Sequence, residues 1–271
     1  MAQIFFMSPL MFKSIALKVL PDPILKYLKK IYYANELKNF SERDEPDLRV
    51  VKKLISPGDH VVDVGANVGW YTKVLAESVS SDGRVYSIEP MSMTFELLSH
   101  CVHQLELKNV ELFCCGISEV AGEALMEIPS FKKGGENFYM AKIVSGDNPV
   151  EKGNKRIQVH LRSLDEIFLG SKSPIKFIKC DVEGHELAVV KGARTVIEKF
   201  RPAWLIEVSH NPDELGSPSN ELFSILRSYD YKVFWLNGDN LIERVARDRS
   251  VNYFFLTAEQ VRSFNARNCI H

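Results

Sequence analysis

Hydrophobic and polar positions from residue 60 onward follow two different periods along the chain. Short apolar runs predict buried strands, and the longer stretches between them carry apolar residues at helical spacing. Five strands are predicted, at residues 60–64, 85–88, 110–115, 175–180 and 203–208. Helices are predicted at residues 67–78 and 94–107. Repeated strand–helix–strand units predict an α/β fold with a mostly parallel sheet and helices on both faces.

Two segments depart from this pattern. Residues 232–236 and 252–256 flank an Asn-Gly-Asp turn and predict an antiparallel hairpin that closes one edge of the sheet. Residues 118–164 are glycine-rich and alternate like strands at both ends, which predicts an inserted β-hairpin with a loop over a site. We therefore expect an N-terminal helical extension over residues 1–44 and one α/β domain over residues 45–271.

The N-terminal 33 residues carry five lysines and one aspartate. Their apolar residues recur at helical spacing and predict an amphipathic basic helix: Ile24, Leu25, Leu28, Ile31 and Tyr32. Such a helix either packs across the main domain or docks on a membrane surface or a partner. No run of about 20 apolar residues occurs, which argues against a transmembrane helix. The lysines follow the first apolar run, which is unlike a signal peptide.

Composition narrows the class of protein. The 271 residues are 45% hydrophobic and 25% charged, with a formal net charge of −1, as is typical of a soluble globular protein. Proteins that bind nucleic acids normally carry a basic stripe, so we expect no nucleic-acid partner. The five cysteines form no C-x-x-C pair and their odd number leaves one unpaired, which favours the reducing cytoplasm.

The most specific motif is DVGANVG at residues 63–69, where a predicted buried strand ends in Asp63 and a glycine turn follows. Gly65 permits a tight turn and a close ligand, and Gly69 permits close packing of helix on strand. Such a turn suits a dinucleotide or S-adenosylmethionine. A pyrophosphate-binding turn needs glycine at the positions of Asn67 and Trp70, so S-adenosylmethionine is favoured over NAD(P), whose oxidoreductases remain the alternative.

Acidic residues follow the second, fourth and fifth predicted strands. Glu89 lies twenty residues after Gly69, where a carboxylate can accept hydrogen bonds from both ribose hydroxyls of an adenosine cofactor; the alternative is an exposed acid. Methylation of an alcohol also needs a base close to the acceptor oxygen. Asp181, Glu183 and His185 are the predicted catalytic residues, because ligands bind beyond the carboxyl ends of parallel strands. The alternative is that the two acids cap the next helix.

Several segments together resemble the FkbM family of S-adenosylmethionine-dependent methyltransferases. They are DVGANVGWYT at 63–72, IEP at 88–90, SLDE at 163–166, IKCDVEGHE at 178–186 and KGA at 191–193. The resemblance implies a class I, Rossmann-like fold with a mostly parallel seven-stranded sheet. It implies O-methylation of a small molecule, secondary metabolite or saccharide. It also implies a methionine cradle, a ribose-binding Glu89 and an adenine site near Gly116 and Ser118; the cradle consists of Asp63, Gly65, Asn67, Gly69 and Thr72.

The residues at the end of the fourth strand bear on the acceptor atom and on the need for a metal. Amino-methylating enzymes usually carry a proline-proline-aromatic tetrapeptide there, whereas residues 181–184 are DVEG, which favours oxygen as the acceptor. No metal is predicted, although Asp181, Glu207 and His210 form an alternative set for Mg²⁺ or Mn²⁺. A catalytically silent module that binds the adenosyl cofactor is a further alternative, and the retained acids argue against it.

Overall fold

The computed structural model describes residues 21–130, 136–144 and 150–268. In chain order its elements are α1 (Asp22–Asn39), α2 (Leu48–Leu54), β1 (His60–Val64), α3 (Trp70–Val79), β2 (Arg84–Ile88), α4 (Ser92–Gln104), β3 (Val110–Phe113), β4 (Gly116–Ile117), β5 (Gly122–Ile128), a 3₁₀ turn (Phe138–Met140), β6 (Lys142–Val144), β7 (Lys155–Arg162), α5 (Leu164–Phe168), β8 (Ile175–Cys180), α6 (Glu186–Lys191), α7 (Arg194–Phe200), β9 (Ala203–Glu207), α8 (Pro218–Ser228), β10 (Lys232–Asn237), β11 (Asn240–Glu243), β12 (Asn252–Leu256) and α9 (Ala258–Asn268).

The main sheet has eight strands in the order β11-β10-β12-β9-β8-β1-β2-β3. The five strands from β9 to β3 run parallel, and β12, β10 and β11 add antiparallel pairs. The predicted α/β fold with a mostly parallel sheet is confirmed. The predicted closing hairpin is wrong in one respect, because β12 lies inside the sheet and β11 forms the edge. Gly238 (φ 60°) makes a tight turn that returns the chain into β11, a short strand that the sequence pattern did not predict.

Helices cover both faces of the main sheet, because its central strands are buried at nearly every position. Val62 and Ile178 belong to one hydrophobic core, whereas Val61 and Phe177 belong to the core on the opposite face. The carboxyl ends of the parallel strands β1, β2, β8 and β9 lie at the same edge of the sheet. Ligands of open α/β sheets bind at this edge. Within the described ranges, no helix has both the length and the apolarity needed to cross a bilayer.

A second, four-stranded sheet comes from the glycine-rich segment, in the order β4-β7-β5-β6. The long antiparallel pair of β5 and β7 is the hairpin that the sequence pattern predicts, and β6 lies along its outer side. This sheet has its own small core, in which Met126 and Val159 pack against Met91 from the main domain. The contact places the second sheet over the carboxyl ends of β1 and β2.

Helix α1 packs on the main domain, but not through the apolar stripe that the sequence displays. Its buried residues are Ala34 and Leu37, which join a small core with α4. Ile24, Leu28 and Ile31 from the predicted stripe are instead exposed to solvent. The periodicity therefore predicts the helix correctly, whereas the residues that pack on the domain are not those of the predicted stripe.

Candidate active site

The turn after β1 contains three residues with positive φ: Gly65 at 79°, Asn67 at 50° and Gly69 at 105°. A Cβ atom on Gly65 would lie 1.8 Å from the backbone oxygen of Asp181, so the turn and the end of β8 can meet only at a glycine. The predicted helix start at residue 67 is wrong. The helix begins at Trp70, because left-handed residues at 67 and 69 cannot continue a right-handed helix.

Asp63 and Thr72 lie together beneath this turn. Thr72 Oγ1 donates to Asp63 Oδ2 at 2.6 Å and is also hydrogen bonded to Ser87 Oγ at 2.8 Å. Asp63 Oδ1 is buried and has no hydrogen-bond partner among the residues that the structure describes. Burial raises the pKa of Asp63, against the opposing effect of Lys179. A buried polar atom without a partner is costly, so Asp63 Oδ1 is suited to a donor from a ligand.

Glu89 is buried at the end of β2, with only 4% of its surface exposed. Its Oε2 accepts the backbone N–H of Asn67 and its Oε1 accepts that of Met91, both at 3.1 Å. Burial raises the pKa of Glu89 to about 7, although both N–H donors oppose the shift. The alternative of an exposed acid is wrong. The carboxylate instead joins the first glycine turn to the end of β2.

The main pocket, a cavity of about 190 Å³, lies where β1, β2 and β8 end beneath the second sheet. It brings together seven of the predicted site residues: Gly65, Asn67, Glu89, Gly116, Asp181, Glu183 and His185. Met126, Phe138 and Tyr139 from the insertion form its cover. Ser118 does not line the pocket but is hydrogen bonded to His185, with Oγ and Nε2 3.0 Å apart. Gly69 and Thr72 lie behind its wall.

Three carboxylates meet at the outer end of β8 and β9. One oxygen from each of Asp181, Glu183 and Glu207 lies within 4.8 Å of the others, and we call these residues the carboxylate cluster. The chain does not continue extended after β8, because Glu183 has φ 53° and Gly184 has φ 98°. An extended chain would point Asp181 and Glu183 to the same side; the turn changes that geometry, and the two carboxylates converge nonetheless.

The helix-capping alternative for the cluster finds no support in the hydrogen bonds. Glu186 Oε1 accepts the backbone N–H of Gly184 at 2.8 Å and that of Val182 at 3.4 Å. Helix α6 has no side-chain cap at its first residue. Glu186 therefore accepts the N–H groups of the loop, and neither Asp181 nor Glu183 caps the helix.

The pKa values of two carboxyl groups in the cluster are raised towards neutral pH. Burial, followed by repulsion from Asp181, raises the pKa of Glu183 to about 6 and that of Glu207 to about 7. Burial lowers the pKa of His185, so its imidazole is neutral at pH 7. Close carboxylates cannot all ionise readily, so the cluster can hold a proton near neutral pH.

A second cavity of about 380 Å³ meets the main pocket at Gly65, Trp70 and Asp181. We call it the acidic pocket, since its wall includes four further acids: Glu36, Asp44, Glu45 and Asp63. Its buried cation is Lys179, whose Nζ lies 2.8 Å from Asp181 Oδ2 and 4.7 Å from the ring centroid of Tyr71. Burial alone would lower the pKa of Lys179, but Asp181 and Asp63 outweigh it and the pKa is raised.

Sequence reasoning missed Lys179 and Tyr71, and it left Glu207 out of the catalytic set. The available signal was a strand that is apolar apart from two lysines; the pairing of one of them, Lys179, with Asp63 on β1 is seen only in the structure. The alternative metal set is also corrected. Among the described residues, the group close enough to hold an ion contains Glu183, whereas His210 is exposed and lies outside it.

A family model described as the methyltransferase FkbM domain matches residues 63–233. The chain belongs to the FkbM methyltransferase family. The matched range contains the glycine turn, Glu89 and the carboxylate cluster, and it excludes α1 and the acids of residues 36–45. The family resemblance and the class I, Rossmann-like fold expected from it are confirmed, with eight strands in the main sheet instead of seven.

Solved structures similar to this FkbM-family chain share little sequence with it. The FkbM methyltransferase from Methylobacillus flagellatus is 18% identical, with a TM-score of 0.47, and the match covers 90% of this chain and 57% of that one. A SAM-dependent O-methyltransferase from Thermotoga maritima is 13% identical, with a TM-score of 0.44, over 79% of this chain and 66% of that one. This chain thus spans little more than half of the Methylobacillus flagellatus protein. No curated protein matches the sequence.

Proposed function

We propose that this chain is an S-adenosylmethionine-dependent O-methyltransferase acting on a hydroxyl of a small molecule, secondary metabolite or saccharide. The supporting observation is that the Gly65 turn, the buried Glu89 and two carboxylates of the cluster, Asp181 and Glu183, line one pocket. The first two features suit an adenosine cofactor, and the cluster supplies candidate bases. We place the activity in the reducing cytoplasm, with no nucleic-acid partner, from the unpaired cysteines and the net charge.

The residues present fit this cofactor across both pockets. Glu89 is placed to accept the ribose hydroxyls, and Gly116 lies on the adenine side, where a Cβ atom would come within 2.8 Å of Leu161. Asp63 Oδ1 and Tyr71 Oη are buried without hydrogen-bond partners in the described chain, and they suit the α-ammonium group. When bound, S-adenosylmethionine supplies an electrophilic methyl group for in-line displacement by an acceptor oxygen.

The chain contributes a base and a water-poor pocket. Glu183 lines the main pocket and burial raises its pKa to about 6, so it can take up the proton that the acceptor hydroxyl loses; Glu207, with a pKa raised to about 7, lies next to it in the cluster. Lys179 is hydrogen bonded to Asp181 and fixes one carboxylate of the cluster. Phe138 and Tyr139 from the insertion cover the main pocket and limit the access of water. His185 is held by Ser118 and faces the acceptor side as a neutral imidazole.

Calorimetric titration tests the cofactor. The wild-type protein is expected to bind S-adenosylhomocysteine and not NAD. Glu89→Ala is expected to weaken that binding by about 1–3 kcal/mol, because it removes acceptors for two ribose hydroxyls. Glu111→Ala, which changes an exposed glutamate on β3, is the matched control and is expected to bind normally. Tighter binding of NAD, or an unchanged affinity in a folded Glu89→Ala protein, contradicts this assignment.

The acceptor atom is tested separately with radiolabelled S-adenosylmethionine. Transfer to hydroxylated acceptors supports the proposal, and transfer to amines alone contradicts its O-directed part. Absence of transfer to either class, with the cofactor bound, favours the silent binding module.

Chelation is expected to leave the activity unchanged. The ammonium of Lys179 lies 2.8 Å from Asp181 Oδ2, so a positive charge already stands beside the carboxylate cluster and disfavours a second cation. The measurement compares initial rates before and after treatment with EDTA and after addition of Mg²⁺ or Mn²⁺. A loss of rate that either ion restores contradicts this expectation and makes the cluster a metal site.

A further inference from the structure

Four apolar side chains of α1 face away from the domain: Ile24, Tyr27, Leu28 and Ile31. Their exposed fractions are 46%, 63%, 45% and 39%, and their spacing places them along one side of the helix. We call these residues the outward face. Other side chains of the helix are buried against α4, so the outward face belongs to an anchored element. Contiguous apolar surface of this kind marks an interaction site.

The charge of the same region is opposite to that of the rest of the chain. Residues 1–33 carry five lysines and one aspartate, a net charge of +4. Because the whole chain has a net charge of −1, the remaining residues together carry −5. On α1, Lys30 follows Tyr27 by three residues and the exposed Lys38 follows Ile31 by seven, so both lie beside the outward face, whereas Lys29 contacts Phe138 on the other side of the helix. The apolar surface is therefore flanked by positive charge on a protein that is otherwise negative.

This helix is also linked to the candidate active site. The hydroxyls of Tyr33 and Tyr139 are 3.0 Å apart and hydrogen bonded, and Tyr139 lines the main pocket. Lys29 Nζ lies 5.6 Å from the ring centroid of Phe138 in the same pocket wall. At the other end of the helix, Glu36 lines the acidic pocket. A surface that binds the outward face therefore also binds α1, the helix that borders both pockets.

We propose that the outward face docks the protein peripherally on a membrane containing anionic phospholipids. Isoleucine and leucine supply apolar area for the acyl boundary, and Tyr27 has the amphipathic side chain that favours the membrane–water interface. The flanking lysines are attracted by anionic headgroups, each by about 1 kcal/mol near the surface. A second copy of this chain fits less well, because pairing two outward faces brings the lysines of both copies together.

Vesicle co-sedimentation of the full chain tests this proposal without depending on methyl transfer. The protein is expected to bind vesicles of two parts phosphatidylcholine to one part phosphatidylserine, and to bind pure phosphatidylcholine weakly. The double variant Leu28→Glu/Ile31→Glu is expected to lower the partition coefficient by at least about tenfold. The matched control, Leu169→Glu/Leu215→Glu, changes two exposed leucines outside α1 and is expected to bind like the wild type.

The other outcomes decide against the proposal. Equal binding to both vesicle types shows that anionic headgroups are not required. An equal loss of binding in Leu28→Glu/Ile31→Glu and in Leu169→Glu/Leu215→Glu shows that the effect is not specific to α1. Sedimentation velocity measures the oligomeric state. If the wild type is a dimer and Leu28→Glu/Ile31→Glu is a monomer, the outward face is a self-association surface instead. If that variant does not fold, Lys30→Glu/Lys38→Glu replaces it, and its unchanged binding to anionic vesicles overturns the proposal.

Discussion

Replacing Asp181 with asparagine is expected to lower kcat by about 10²–10⁴-fold, with a much smaller effect on binding of S-adenosylhomocysteine. Asparagine has nearly the same size but cannot take up a proton. Asp181 also lies within 4.8 Å of Glu183 and Glu207, so its charge sets the affinity of both for protons. The measurement is a single-turnover assay with labelled cofactor, which separates the methyl-transfer step from product release.

Asp181→Asn has a structural consequence that the assay must separate from catalysis. It leaves the ammonium of Lys179 buried beside a neutral side chain, and breaking a buried ion pair costs about 3–5 kcal/mol. The double variant Asp181→Asn/Lys179→Met removes both charges and is expected to recover the melting temperature but not kcat. Recovery of both in the double variant assigns Asp181 a structural role only. Wild-type turnover in the folded single variant refutes the cluster as the base.

The pH profile gives an independent readout of the same cluster. Burial raises the pKa values of Glu183 and Glu207 to about 6 and 7, so these groups are protonated below that range and ionised above it. Because a base acts only when ionised, kcat/KM of the wild type is expected to rise with pH through this window. Asp181→Asn removes the repulsion that contributes to both shifts, so the rise is expected to move to lower pH.

Apolar runs predicted the strands well, because a strand buried on both faces needs a nearly continuous apolar sequence. The strand predicted at 175–180 coincides with β8, and its neighbours end within two residues of the prediction. The turn after β1 was located correctly, yet the helix start was placed three residues early. Asn67 fits a helical pattern in sequence, but in the structure it has a positive φ and its N–H donates to Glu89, a contact distant in sequence.

The sequence predicted the strands better than it predicted which side chains meet in the folded chain. Lys179 lies beside Asp63 because β8 pairs with β1 in one register, and Glu207 reaches Asp181 because β9 lies on the other side of β8. Strand order and register depend on contacts distant in sequence, which periodicity does not contain. The same limit applies to α1. The spacing of Ile24, Leu28 and Ile31 showed an apolar face, but not whether the domain covers it.

Adding one methyl group at Gly65 is expected to be severe, although the substitution is only to alanine. The new Cβ atom would lie 1.8 Å from the backbone oxygen of Asp181, and Gly65 has φ 79°. Relief of that clash must separate the ends of β1 and β8, where the cofactor and the base are proposed to meet. We expect Gly65→Ala to lower the free energy of unfolding by about 3 kcal/mol or more and to abolish binding of S-adenosylhomocysteine.

Substitutions at two other glycines distinguish the effect of the clash from the effect of a positive φ. Gly184 has φ 98° but open space where a Cβ atom would lie, so Gly184→Ala is expected to cost only about 1–2 kcal/mol. Gly122 has neither a positive φ nor a neighbour within 4 Å, so Gly122→Ala is expected to be neutral. Chemical denaturation and calorimetry on the three variants check this order. If Gly65→Ala is no less stable than Gly184→Ala and still binds the cofactor product, close approach of β1 and β8 is not what the pocket requires.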